Sequence, residues 1–277
     1  MNMRSFITRN KNRQFQHMQP KPRRRNMSNL HSASNRSSKK TRLVHATTLT
    51  LFAGVATAAV VFMPQQRDGN NCVIGVEPKN NIAILIDKTE GDIPNEVLTL
   101  VNQHKDQLQK ELDAEDRFSI YQLYAEKKDG PGGLVQSFSV CKPISKNSGV
   151  GKGKKIVTKN YTQLWEKPLG NIQSELNQIR LESKTSPILQ SIYRISKEVL
   201  AVGEKRKLIV YSDMIEKSRF KNLYRDDINN NEVKNLENIL GNLPNIEMEV
   251  YQISSPSQKR AEKFFKQLIS AEKWVVI

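Results

Sequence analysis

NIAILID at residues 81–87 and KLIVYSD at residues 207–213 are the two stretches that decide the fold. Each is a continuous apolar run that ends in an acid. A strand with one wet face alternates apolar and polar residues, whereas a strand covered on both faces reads as an unbroken apolar run. Two such strands, with helical periodicity between them, call for a sheet with helices on both sides.

The segments around them fill in the order. Ile93, Val97, Leu100, Val101, His104, Leu108 and Leu112 recur three and four apart, which predicts a helix with Asp92 at its N-cap and Pro94 in its first turn. RFSIYQLY (117–124) and LVQSFSVC (134–141) read as strands joined through the turn-rich residues 129–133. Residues 142–160 carry Lys, Gly and Ser without an acid and read as a loop. Residues 161–182 read as a helix in two pieces around Pro168 and Gly170. Ser186 and Pro187 suit the N-cap and first position of a helix with Ile188, Leu189, Ile192, Ile195, Val199 and Leu200 inside. A helix near 231–243, a strand at 247–253 and a last helix after a Ser255–Gln258 capping box complete the pattern. The order β-α-β-β-α-α-β-α-β-α predicts a three-layer, Rossmann-like α/β domain over residues 81–277. Its sheet is mainly parallel, with one antiparallel edge strand.

The residues before this domain are of another kind. Residues 1–42 hold twelve of the 44 Lys and Arg and none of the 28 Asp and Glu, so most of the +16 net charge sits in this tail. Such a composition cannot bury enough surface to order itself, and it reads as a disordered basic tail. Residues 43–63 contain no charged side chain. As a helix they reach about 31 Å, the thickness of a bilayer's hydrocarbon core, and they read as a transmembrane signal-anchor. A cleaved signal peptide is the competing reading, through Ala56-Thr57-Ala58, but that triplet lies inside the apolar run. The basic flank keeps the N-terminus in the cytoplasm and sends the domain across the membrane, into the periplasm of a Gram-negative cell. Residues 64–80 read as a short linker. The tail is expected to serve topology and to lie near lipid headgroups. Phe6 and Phe15 are its only aromatics, which disfavours base stacking and hence nucleic acid.

Both cysteines, Cys72 and Cys141, fall beyond the span. In an oxidising compartment they permit one disulfide; two separate thiols are the alternative. No CxxC or Cys/His cluster exists, which argues against zinc. Three of the four histidines, His17, His31 and His45, precede the domain, and His104 is on a helix's apolar side, which argues against a Ser/His/Asp triad. Residues 148–154 (SGVGKGK) resemble a phosphate loop but lack its spacing.

Ligands of open α/β sheets gather at the carboxyl ends of the strands, where Asp87 and Asp213 stand. Here the sequence resembles a von Willebrand factor A-type domain, over about residues 80–275. That family carries Asp-x-Ser-x-Ser after the first strand, a Thr in a loop before a helix, and an Asp at the end of the fourth strand, together forming a metal-ion-dependent adhesion site. In this chain the first element reads Asp87-Lys88-Thr89-Glu90-Gly91. Thr89 can stand for the first Ser, and Gly91 cannot stand for the second. Thr185 and Asp213 fall where the other two ligands belong. The resemblance implies a metal site of Asp87, Thr89, Thr185 and Asp213, with water or Glu90 in place of the missing hydroxyl. Such an all-oxygen set suits Mg²⁺ or Mn²⁺. The competing reading is that the two acids cap helices or pair with Lys88. A haloacid dehalogenase-type phosphatase would need a second Asp where Thr89 stands.

The sequence therefore leads to an expectation of a non-enzymatic, membrane-anchored interaction module. It would dock a protein partner at the sheet rim, within a membrane-associated bacterial complex. A metal-dependent phosphoester hydrolase and a purely structural anchor are the alternatives.

Overall fold

The computed structural model describes residues 66–277 apart from 92, 128–129, 147, 149–151, 179, 181, 219–220, 224–228, 230, 232 and 237–245. The basic tail over 1–42, the span over 43–63 and the Asp92 cap lie outside the described residues. No helix among the described residues is long and apolar enough to cross a membrane.

The elements are β1 (Asn80–Asp87), α1 (Asn95–Glu111), β2 (Arg117–Tyr124), β3 (Gly133–Cys141), α2 (Lys152–Tyr161), α3 (Lys167–Leu176), α4 (Ile188–Arg194), β4 (Lys205–Ser212), β5 (Glu247–Gln252), α5 (Gln258–Leu268) and β6 (Lys273–Val276). The six strands form one sheet in the order β3-β2-β1-β4-β5-β6. Every neighbouring pair is parallel except β2 with β3, which puts the antiparallel strand at an edge.

The unbroken apolar runs are explained by what covers them. Ala83 and Leu85 of β1 face a core made with Ile188, Ile192 and Ile195 and with Phe264 and Phe265 of α5. Ile84 and Ile86 face the other way, into a core with Val97 and Val101 of α1 and with Trp165, Leu169 and Ile172. One face of the sheet thus packs α4 and α5, the other α1 and the α2–α3 rod, and the domain is a three-layer α/β structure. Val233 and Leu236, from the partly described 231–243 segment, are buried on the α4–α5 side.

Four local expectations need correction. Residues 152–160, expected as loop, are helix and run on into Tyr161. The two pieces around Pro168 are one continuous rod, with a π-helical segment at Thr162–Glu166 between α2 and α3. Pro168 has no N–H, and its ring crowds the carbonyl four residues back. The widened turn before it, where Lys167 N–H reaches the Thr162 carbonyl, absorbs that conflict without a break. The C-terminal helix ends at Leu268, and Lys273–Val276 is a sixth strand beside β5. Trp-Val-Val is strand-forming composition, and its short length hid it next to a strongly amphipathic helix. Ser255–Gln258 makes no side-chain cap: Ser257 occupies the N-cap position without a side-chain hydrogen bond to the helix.

The segment after residue 65 is held to the sheet edge. Cys72 and Cys141 form a disulfide across a sequence separation of 69. Arg67 makes a forked pair with Glu115, with N–O distances of 3.0 and 2.6 Å. Cys141 N–H donates to the Asn70 carbonyl at 2.9 Å, and Asn71 Nδ2 donates back to the Cys141 carbonyl at 3.1 Å. On the chain-entropy account, closing a loop of this length stabilises the fold by about 4 kcal/mol. Reductant is expected to lower the melting temperature of the wild type and to leave a Cys72→Ser/Cys141→Ser variant unmoved. A wild-type melt insensitive to reductant would contradict the staple's contribution.

Candidate functional site

The strand order places a reversal between β1 and β4. From β1 the chain proceeds outward to β2 and β3, then returns to lay β4 against the other side of β1. The loops leaving β1 and β4 therefore diverge to opposite faces and open a crevice at their carboxyl ends. Asp87 is the last residue of β1 and Asp213 the first after β4, and the register pairs Ile86 with Tyr211. Both acids line one cavity of about 250 Å³, together with Glu90 and the loop Ser254–Pro256 after β5.

Asp87 is 7% exposed and its carboxylate is fully engaged. Oδ1 accepts from Thr89 N–H at 3.0 Å and from Thr89 Oγ1 at 2.7 Å. Oδ2 accepts from Ser212 Oγ at 2.8 Å and from Ser186 Oγ at 3.3 Å. Burial nonetheless outweighs these donors and pushes the Asp87 pKa up. Asp213 accepts from Ile215 N–H at 2.9 Å. Burial, and then the charge of Asp87, raises its pKa to about 7. Glu216, 1% exposed, accepts from Leu189 N–H at 2.8 Å, and burial raises it to about 7 as well. Met214, between these acids, holds φ at 60° with a fully buried side chain. An ordinary residue in that left-handed region costs on the order of 1 kcal/mol, a strain stored beside the crevice.

Sequence reading assigned Asp87, Thr89, Thr185 and Asp213. The first two are directly bonded, and Asp213 lines the same cavity as Asp87. Thr185 sits alongside: its Oγ1 accepts from Gly132 N–H at 2.9 Å. A side chain on Gly132 would overlap the Thr185 carbonyl oxygen and crowd Thr89 Cγ2, so glycine is what lets the β2–β3 loop close over both threonines. Gly91 has φ of 96° and closes a turn with N–H to the Lys88 carbonyl at 3.1 Å. That conformation favours glycine. Lys88 donates to the carbonyls of Leu176 and Gln178 at 2.8 and 2.6 Å, tying the end of α3 to the rim.

Three residues escaped the sequence reading. Ser186 was expected to cap α4, but its hydroxyl turns to Asp87, and Glu216 takes the capping role on Leu189 N–H. Ser212 was visible as a polar residue inside a buried strand, and that was its signal. Glu216 follows no pattern legible before folding.

A divalent cation is tested by the donors present. Two carboxylates and several hydroxyls make an all-oxygen set that suits Mg²⁺ or Mn²⁺. Among the described residues, Thr185 Oγ1 accepts one bond, which leaves it a lone pair. Ser255 Oγ, which lines the cavity, is buried with no hydrogen-bond partner among the described residues. Among the described residues there is no cluster of three or more His, Cys, Asp and Glu, so any ion here would rest on hydroxyls and water besides the two acids.

No family model and no curated protein matches the chain. Among solved structures, the open conformation of the pilus adhesin SpaC from Lactobacillus rhamnosus GG aligns with a TM-score of 0.41 and 11% identity, over 73% of this chain and 28% of that chain. A second form of the same adhesin gives 0.37 and 12%, over 72% and 29%. The chain thus spans less than a third of the adhesin, and a likeness at this level assigns it no function.

The buried acids predict a pH dependence. Asp213 titrates near 7 when folded and near its ordinary 3.8 when unfolded. Between those values the unfolded chain has released the proton that the folded chain still binds, so stability falls as pH rises from about 4 to about 7. In the presence of a chelator, Asp213→Asn is expected to melt higher than wild type at pH 8 and level with it at pH 4. Equal melting at both would contradict the buried-acid reading.

Proposed function

We propose that this domain is a von Willebrand factor A-like interaction module. Asp87, Thr89, Thr185 and Asp213 would hold Mg²⁺ or Mn²⁺ and dock an acidic group of a partner protein through it. One observation carries the reading: Asp87 and Asp213 share a single open cavity at the point where the strand order reverses. Two carboxylates so placed repel one another, and burial makes each charge costly. A divalent ion offsets both effects, because its own charge dominates so small a site. Mg²⁺ and Mn²⁺ keep several water ligands, and a carboxylate from outside can replace one of them. The order of the elements and the antiparallel edge strand also support an A-type domain. Gly91 departs from the family pattern, and water or Glu90 would complete the ion's shell in its place.

The chain is further read as anchored by residues 43–63, with the basic tail in the cytoplasm near anionic lipid and the domain on the other side. In that setting the module would belong to a membrane-associated bacterial complex and would act by binding rather than by turnover. The test is co-purification of the tagged full-length protein from membranes, wild type beside Asp87→Asn and Asp213→Asn, with and without a divalent-metal chelator. The expected result is a partner lost in both variants and on chelation. A partner retained under every condition would contradict the proposal. Metal-dependent turnover of a generic phosphoester by the wild type, absent from Asp87→Asn, would shift the reading to a hydrolase.

A further inference from the structure

The domain has two unlike ends. The acidic rim lies at the carboxyl ends of β1 and β4. The opposite end, its base, is where the parallel strands begin and where antiparallel β3 finishes. Asn81 pairs with Arg117, Arg117 pairs with Cys141, and Asn80 pairs with Lys205. Of the seven large apolar side chains exposed among the described residues, five belong to this base: Ile74 at 61%, Val76 at 54%, Ile144 at 46%, Ile156 at 62% and Val202 at 39%.

Several contacts fix those positions. Val202 is tied to the start of β1 by Asn81 Nδ2, which donates to its carbonyl at 3.0 Å. Ile74 N–H reaches the Gln66 carbonyl at 2.9 Å, in the hairpin stapled to Cys141. Ile144 follows Lys142, whose N–H reaches the Asp116 carbonyl at 2.8 Å just before β2. The rod of α2 and α3 begins at the base, where Thr158 Oγ1 donates to the Lys146 carbonyl at 3.4 Å. It ends at the rim, where Lys88 holds the Leu176 carbonyl. Lys154, Lys155 and Lys159 of α2 are exposed around Ile156. Exposed Lys79 and Lys205 add to the base, with Glu77 and Glu204 beside them.

The second observation is the length of the tether. The apolar run ends at Met63, and Arg67 is already pinned by its forked pair with Glu115. Four residues can reach at most about 14 Å. Five residues further on, the disulfide fixes Cys72 to the base. On the anchored reading of residues 43–63, a tether this short favours a base close to the bilayer surface.

We propose that the base lies on the membrane surface, with Ile74, Val76, Ile144, Ile156 and Val202 among the headgroups and Lys154, Lys155 and Lys159 against the phosphates. Apolar side chains flanked by lysines, whose stems reach back to the polar layer, are the composition of an interfacial contact. The eight residues of β1 then raise the Asp87 rim by about 26 Å, facing away from the bilayer. This inference rests on the anchored reading of residues 43–63. It also specifies the partner of that reading: one that approaches from the aqueous side rather than a neighbour within the same membrane.

The test uses the full-length protein reconstituted in vesicles of phosphatidylethanolamine and phosphatidylglycerol. Photoreactive benzoylphenylalanine replaces Ile74, Ile144, Ile156 or, at the rim, Glu90, one position at a time. Lipid adducts at the three base positions, and their loss at Glu90, are the expected result. If the protein resists carbonate extraction but the base positions form no more adduct than Glu90, the inference is overturned and the anchored reading stands. If carbonate extracts the protein, both are overturned.

Discussion

The Asp87 carboxylate is buried at the end of a central strand, where it accepts two hydrogen bonds from Thr89, one from Ser212 and one from Ser186. Those four bonds join β1, its own outgoing loop, β4 and the segment entering α4. A buried carboxylate left without donors would cost several kcal/mol, so the loops around it must hold their positions if the acid is to remain. The rim's order follows. Thr89 is fixed by Asp87, the β2–β3 loop closes on Thr89 and Thr185 through Gly132, and Lys88 anchors the end of α3. Asp213 and Glu216 are then pressed into the same low-dielectric corner, and both are pushed toward neutral titration. Such a corner stores electrostatic cost that a cation can relieve, and that links the fold to the proposed activity.

The other end of the domain answers a mechanical requirement. The sheet has an edge at antiparallel β3, and an exposed edge strand invites unwanted pairing. The disulfide, the Arg67–Glu115 fork and the Asn70 and Asn71 bonds all converge on its Cys141 end. They cover that end of the edge strand with the segment around residues 67–72.

Much of this was legible in the sequence. Two apolar runs ending in acids specified buried parallel strands, because five apolar or small residues in succession on a pleated strand need cover on both faces. Those runs also located Asp87 and Asp213 on one rim. What the sequence hid was set by three-dimensional competition. Ser186 precedes a proline at a helix start and reads as a cap, yet a buried carboxylate across the crevice is the stronger acceptor for its hydroxyl. Pro168 reads as a helix break, and a π-helical turn accommodates it. Lys273–Val276 is too short to announce itself, and only the open edge of β5 makes it a strand.

The most direct measurement is a Mn²⁺ titration of the full-length protein at pH 8, followed by the loss of the free-ion electron paramagnetic resonance signal, for wild type and Asp87→Asn. The account predicts one bound Mn²⁺ per wild-type chain, displaced by Mg²⁺, and no specific binding by the variant. Equal binding by the two proteins, or none by the wild type, would contradict a rim built to hold a divalent ion.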